Sequence, residues 1–229
     1  MKTTKTMFCG VIVILLGVSL IACGGAPARA PGDTVSVPIF GMWEVHDDSG
    51  NGGSSTVTMT ETLEDDMPAW HFAGDLTRDF IWGAVAFSMD LDERTMDLFN
   101  SATAISFMAR SGEGGQRYSI QILTRLVMDY GHFVVHFDTV AGEATRFTFP
   151  LGHFMQPGWA VNVGRLRPDA ITGMQWATHD SINPGPYEIT IWDVRLYVPA
   201  GTEIPPAAPG QLVEYVEYEG YVEYAEDAE

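Results

Sequence analysis

Tyr187-Glu188-Ile189-Thr190-Ile191-Trp192-Asp193-Val194-Arg195-Leu196-Tyr197-Val198 is the stretch whose reading decides the fold. Successive side chains of a strand point to opposite faces. On that period Tyr187, Ile189, Ile191, Asp193 and Arg195 share one face, and Glu188, Thr190, Trp192, Val194, Leu196 and Val198 share the other. β-branched and aromatic residues fill the run, which suits a pleated, half-buried surface. The same period recurs upstream. Ile105, Phe107 and Ala109 share a face, as do Tyr118, Ile120 and Ile122, with Ser119, Gln121 and Leu123 opposite. Phe133 to Phe137, Arg146 to Phe149 (stopped by Pro150) and Ile171 to Thr178 (containing Gly173) read as further strands. Gly41 to His46, Thr56 to Thr60, Trp70 to Gly74 and Trp82 to Met89 are shorter ones.

Gly, Asn, Asp and Pro punctuate these runs at Ser49 to Gly53, Gly112 to Gly115 and Asn183 to Pro186. Many short strands separated by such turns predict an all-β chain folded as a β-sandwich. Sheets with one packed and one wet face account for the half-apolar strands. Arg94 to Asn100 reads equally as a helical turn or a short strand. The predicted domain spans 38–199, long enough to bury a full core.

Three stretches resemble a known group. They are Trp43 through Asp47-Asp48 to Asn51-Gly52-Gly53-Ser54-Ser55-Thr56; Phe147 to Pro150 with Phe154-Met155-Gln156-Pro157-Gly158-Trp159; and Ile171 to Trp176 with Tyr187 to Tyr197. Ser106 to Arg110 fits the strand before a glycine loop. Together they resemble galactose-binding-like jelly rolls of the carbohydrate-binding module family 11 and CIA30-like type, over about residues 40–199. The resemblance implies a jelly-roll sandwich that binds carbohydrate without catalysis. It also implies that the Tyr118 and Arg125 region lines a ligand-facing sheet. Related jelly rolls hold a structural Ca2+ at an Asp of the last strand, a position matched by Asp193. The neighbouring acid is replaced here by Trp192, and Ser36-Val37-Pro38-Ile39-Phe40 lacks the acidic partner expected in the first strand.

The ends of the chain carry different signals. Lys2 and Lys5 precede an apolar run from Met7 to Ile21 that ends in Leu20-Ile21-Ala22-Cys23-Gly24. A basic front, a short apolar core and small residues at the cut make an export signal over 1–22. The run is short for a bilayer span of roughly 20 residues, although a plain transmembrane anchor is the alternative. The Cys after Ala22 resembles the bacterial lipobox, which implies lipidation of Cys23 and anchoring at a bacterial envelope membrane. Residues 23–37, rich in Gly, Ala and Pro, read as a flexible tether. Cys9 would leave with the signal, so the mature domain would have no disulfide. Residues 200–229 begin Pro-rich and end in an acidic Tyr/Glu tail with no basic residue. That tail reads as disordered, or else as a strand docking an envelope protein partner.

The formal charge is -18, from 12 Lys and Arg against 30 Asp and Glu. This excludes nucleic acid, which needs a basic surface. No HExxH, GxSxG or phosphate-cradling loop is present, and among its many Asp and Glu the sequence offers no means of pairing two for glycoside hydrolysis. Asp90, Asp92 and Glu93 read as a solvated strand end. Sugar binding asks for a flat ring against a sugar's apolar face, with polar groups beside it. Asp129, Tyr130 and His132 supply a carboxylate, a phenol and an imidazole in one predicted turn. Trp82, and Trp176 with His179 and Asp180, are further candidates, each at a strand end. Trp43, Trp159 and Trp192 read as core or loop anchors. His132 and His136 would share a face of an unbroken strand, too few for a visible metal site. The expected function is a surface lipoprotein binding polysaccharide; the alternative is a structural or protein-interaction lipoprotein of the envelope.

Overall fold

Alternation becomes hydrogen-bonded strand almost everywhere it was expected. The computed structural model describes residues 34–80, 84–178 and 184–206. Its strands are β1 (Thr34–Pro38), β2 (Gly41–His46), β3 (Thr58–Glu64), β4 (Met67–Leu76), β5 (Ala86–Leu91) and β6 (Ala104–Ser111). They continue with β7 (Arg117–Thr124), β8 (Phe133–Asp138), β9 (Thr145–Pro150), β10 (Ile171–Thr178) and β11 (Gly185–Pro199). Two sheets result, with strand orders β3-β4-β11-β6-β9 (β1 also pairing with β11) and β2-β5-β10-β7-β8. All strand pairs are antiparallel.

The core lies between the sheets and is rich in rings. Phe72 stacks on Phe87 at 4.1 Å, and Trp43 stacks on Trp176 at 5.1 Å. Phe107 meets Trp176 edge-on at 5.4 Å and Phe137 at 5.2 Å. Such offset and edge-to-face pairs each add about 0.5–1.5 kcal/mol beyond their burial. Ile105, Phe107 and Ala109 of β6 and Tyr118, Ile120 and Ile122 of β7 all point into this layer, as their spacing predicts.

β11 departs from the simple alternation. Tyr187, Ile189 and Ile191 face the core, but beyond Asp193 the core residues are Val194, Leu196 and Val198. The register against β6 steps from Trp192↔Met108 to Arg195↔Ser106, leaving one extra residue in β11. Asp193 sits there with φ +48. A bulge of one residue flips the inward parity of everything after it. The sequence-based expectation of one unbroken face therefore holds only for the first half. The bulge also marks a handover, since β11 pairs with β4 as far as Trp192 and with β1 from Arg195.

The region expected to be a tether over 23–37 is corrected at its end. Thr34–Pro38 zips onto β11 because Val35 and Val37 have apolar surface to cover there. Residues 200–206 are likewise fastened: Ile204 packs on the core, and Arg94 Nε donates to the Pro205 carbonyl at 2.8 Å. The open segment near Arg94 is a helix, α1 (Glu93–Phe99), started by Asp92, whose carboxylate accepts the Thr95 N–H at 2.7 Å. That bond is a standard N-cap. Among the described residues no helix is long and apolar enough to cross a membrane. Residues 1–22, Cys23 and the tail 207–229 lie outside the described residues.

Candidate ligand-binding site

Tyr130 is held out into solvent by its backbone. It adopts φ +62, a conformation that residues other than Gly seldom enter outside turns, and the residue is 84% exposed. The His132 N–H donates to the Tyr130 carbonyl at 2.8 Å, closing the turn. Asp129 supports it: one carboxylate oxygen accepts the Gly131 N–H at 3.1 Å, and the other accepts the Val161 N–H at 2.7 Å. These bonds to Val161 and Gly131 hold the Asp129 carboxyl below the usual carboxylate range. Asp129 therefore positions the loop, with both oxygens already engaged.

The Val161 bond ties this turn to a second loop. Gln156 strengthens the tie, donating from Nε2 to the carbonyls of Gly131 (2.8 Å) and Val161 (3.3 Å) and accepting the Val163 N–H at 2.9 Å. The Val134 N–H donates to the Met155 carbonyl at 2.9 Å, sewing the second loop to the edge of β8. Gly131 is required at the crossing, since a Cβ there would lie 2.1 Å from the Ala160 Cβ. Tyr130 precedes Gly131 and Trp159 precedes Ala160, so the two rings issue from touching backbone. Trp159 is 69% exposed, and Met128, Met155 and Val161 of the same two loops are exposed too.

Beside the loops lies the outer face of the five-stranded sheet. Register places Glu44, Ser88, Gln175, Gln121 and Val134 in one row across it. Gln175 donates to Gln121 at 3.4 Å, Gln121 donates to Ser119 at 3.3 Å, and His46 pairs with Ser88 at 2.8 Å. His132 lies one position beyond the last register pair of β7 and β8, Ile122↔Phe133, so the loops adjoin this polar face. His132 is half-buried, and its Nδ1 has no partner among the described residues. Burial pushes its pKa down, while the Asp129 charge pulls it up.

Two of the expected site residues, Trp176 and Tyr118, are placed in the core. Trp176 is fully buried against Trp43 and Phe107 and cannot meet a ligand, because its strand turns that parity inward. Tyr118 is a core ring whose hydroxyl donates to Gln116 Oε1 at 2.8 Å, and burial pushes its pKa up. Arg125 is exposed just past the other end of β7, about 23 Å from Tyr118 at strand rise. It lies against Asp169 at 3.6 Å. Trp82, His179 and Asp180 lie outside the described residues. Trp192 is buried and Trp43 half-buried, but Trp159, read as core or anchor, is exposed. Its signal was legible: Pro157-Gly158 immediately before it keeps it out of a strand.

Asp193 does not fit calcium. Its buried carboxylate accepts from Arg195 Nε at 2.6 Å and from Arg146 Nη2. Two guanidinium groups occupy the space where six to eight oxygen ligands would be needed. The local reason is the bulge, beside which Asp193 meets Arg146 of β9, the edge strand on the far side of β6. Among the described residues no group of three or more His, Cys, Asp or Glu could hold a metal ion.

Comparison with known proteins agrees with this architecture. The model of the family described as Complex I intermediate-associated protein 30 (CIA30) matches residues 37–191. A family 11 carbohydrate-binding module from Clostridium thermocellum, solved with a β-1,3-1,4-mixed-linked tetrasaccharide, superposes with TM-score 0.57 at 14% identity. That match covers 72% of this chain and 96% of the module. The family 11 module of the cellulosomal cellulase Lic26A-Cel5E of Clostridium thermocellum gives 0.54 at 16% identity, covering 72% and 95%. At such identity the likeness concerns the jelly-roll fold alone. No curated protein matches the chain.

Proposed function

We propose, from the premise that this chain belongs to the Complex I intermediate-associated protein 30 (CIA30) family and has the sandwich of carbohydrate-binding modules, that it binds polysaccharide reversibly and without catalysis. The observation that carries this reading is the exposed pair Tyr130 and Trp159 on two loops clamped to each other. An exposed ring on a rigid loop suits the apolar face of a sugar, since little order is lost on binding. The adjoining Glu44, Gln175 and Gln121 row offers carboxylate and amide partners for hydroxyls. Asp129 and Gln156 act as positioning residues.

The leader and Cys23 support display of this module on a bacterial envelope membrane through a lipid anchor. A second reading, an envelope protein-interaction lipoprotein, is favoured by the exposed apolar side chains of Met128, Met155 and Val161 on the same loops as the rings. Affinity electrophoresis through soluble polysaccharides separates the two. Tyr130→Ala and Trp159→Ala should each weaken retardation about tenfold, ~1.4 kcal/mol, with unfolding unchanged. Retardation by no polysaccharide would favour the second reading.

A further inference from the structure

The two loops that carry the exposed rings differ in charge from the rest of the molecule. Residues 124–132 and 150–170 hold three arginines, Arg125, Arg165 and Arg167, against two aspartates, in a chain of net charge -18. Both aspartates are engaged within the loops. Asp129 accepts two backbone N–H groups. Asp169 accepts from Arg167 through both carboxylate oxygens, from Nε at 3.2 Å and from Nη2 at 2.7 Å, and Arg125 lies 3.6 Å from the second of them. Two guanidinium groups thus converge on one carboxylate, and Arg165 is exposed two residues from Arg167. The two loops that carry Tyr130 and Trp159 thus form a patch with one arginine in excess, on a chain that is otherwise strongly acidic.

We infer that the ligand is an anionic polysaccharide, one bearing uronate carboxylates, with its sugar faces on Tyr130 and Trp159 and its carboxylates on Arg125, Arg165 and Arg167. The inference rests on the carbohydrate reading above. The planar guanidinium fork matches a carboxylate through two parallel hydrogen bonds. Arg125 and Arg167 are each more than half exposed, and their bonds to Asp169 are open to solvent, so exchange for a ligand carboxylate costs little. The negative remainder of the protein does not forbid this. Salt confines its field to about 8 Å at physiological ionic strength, so at contact the nearest charges decide. A neutral glucan would leave the three arginines without a ligand partner, and the recognition would rest on the rings and the Glu44, Gln175 and Gln121 row.

The test compares an oligogalacturonate with an uncharged β-glucan oligosaccharide of equal length, by titration calorimetry on the full chain. The wild type should bind the oligogalacturonate at least tenfold more tightly. Arg125→Gln/Arg165→Gln/Arg167→Gln should reduce it to the level of the glucan, with thermal unfolding unchanged, because all three side chains are exposed. Trp159→Ala should weaken both ligands alike. Equal or tighter binding of the glucan, or unchanged uronate binding by the triple variant, overturns the anionic assignment and leaves carbohydrate binding standing. Binding of neither oligosaccharide overturns both. A synthetic peptide of residues 212–229, acidic and rich in tyrosine, is the competing probe. If it binds the loops more tightly than the oligogalacturonate, the patch serves a protein segment and the inference falls.

Discussion

Asp193→Asn removes one negative charge from the middle of the six-stranded sheet while sparing its backbone, because Asn tolerates the positive φ that Asp193 adopts. The side chain is only 6% exposed, and its partners Arg195 and Arg146 are 14% and 36% exposed. Those arginines reach on to Ser36 of β1 at 3.4 Å and to Ser106 of β6 at 3.3 Å, so one carboxylate organises contacts among four strands. Removing one partner of a buried pair costs about 3–5 kcal/mol, chiefly because the opposite charge is left uncompensated. Arg146, 36% exposed, can turn to water and Arg195, 14% exposed, cannot, which places the expected loss at about 3 kcal/mol. For a domain of this size that lowers the melting temperature by about 6–12 °C. Urea and thermal unfolding, followed by circular dichroism with and without calcium, read the effect. A loss below about 1 kcal/mol, the ordinary worth of an exposed pair, would refute the reasoning. So would calcium stabilisation of the wild type that the variant lacks, since Asp193 would then be a metal ligand.

Other substitutions separate positioning, packing and display. Gly131→Ala drives a methyl into Ala160 and should cost about 1–3 kcal/mol, the usual penalty for overpacking, while also weakening polysaccharide retardation; unchanged retardation would detach the loop crossing from the site. Trp176→Ala should cost about 3–5 kcal/mol as a core truncation, whereas Trp159→Ala should leave chemical denaturation curves superimposable on the wild type. Burial lowers the pKa of His132 below its ordinary 6.5, so the unfolded chain takes up that proton first. The His132 contribution is fully present above pH 6.5 and declines as pH falls toward the folded value; His132→Gln should flatten that part of the stability profile, and parallel profiles would contradict it. Cys23→Ala should abolish membrane anchoring of the exported protein, and membrane fractions holding the variant at wild-type levels would defeat the lipoprotein assignment.

Strand positions were legible because period-two patterning reports which face is buried, as for Ile105, Phe107 and Ala109. The bulge at Asp193 was not. Its evidence is a register shift against β6, and a strand read alone carries no register. The same blindness misplaced Trp176, whereas Tyr118 was misplaced by the resemblance, against the apolar face it shares with Ile120 and Ile122. Patterning says that a ring shares a face with its neighbours, but which face becomes the core is settled by the opposing sheet. Tyr130 was found because Asp-Tyr-Gly reads as a turn, and turns sit at the surface. Trp159 was passed over because a tryptophan is more often packed than displayed. The clamp between its loop and Asp129 joins residues 32 apart in sequence, a tertiary fact with no local signature. Helix α1 stayed open because a helix of two turns carries too few residues to show a period, and its cap Asp92 was read with Asp90 and Glu93 as a solvated strand end.

A glycan array probed with the purified protein, its Tyr130→Ala/Trp159→Ala variant alongside, tests the central claim most directly. The wild type should bind a set of polysaccharides reversibly and leave them uncleaved, with uronate-bearing chains strongest, and the variant should lose them. Binding retained by the variant, or an array blank to the wild type, would contradict the claim that these two loops grip a sugar chain.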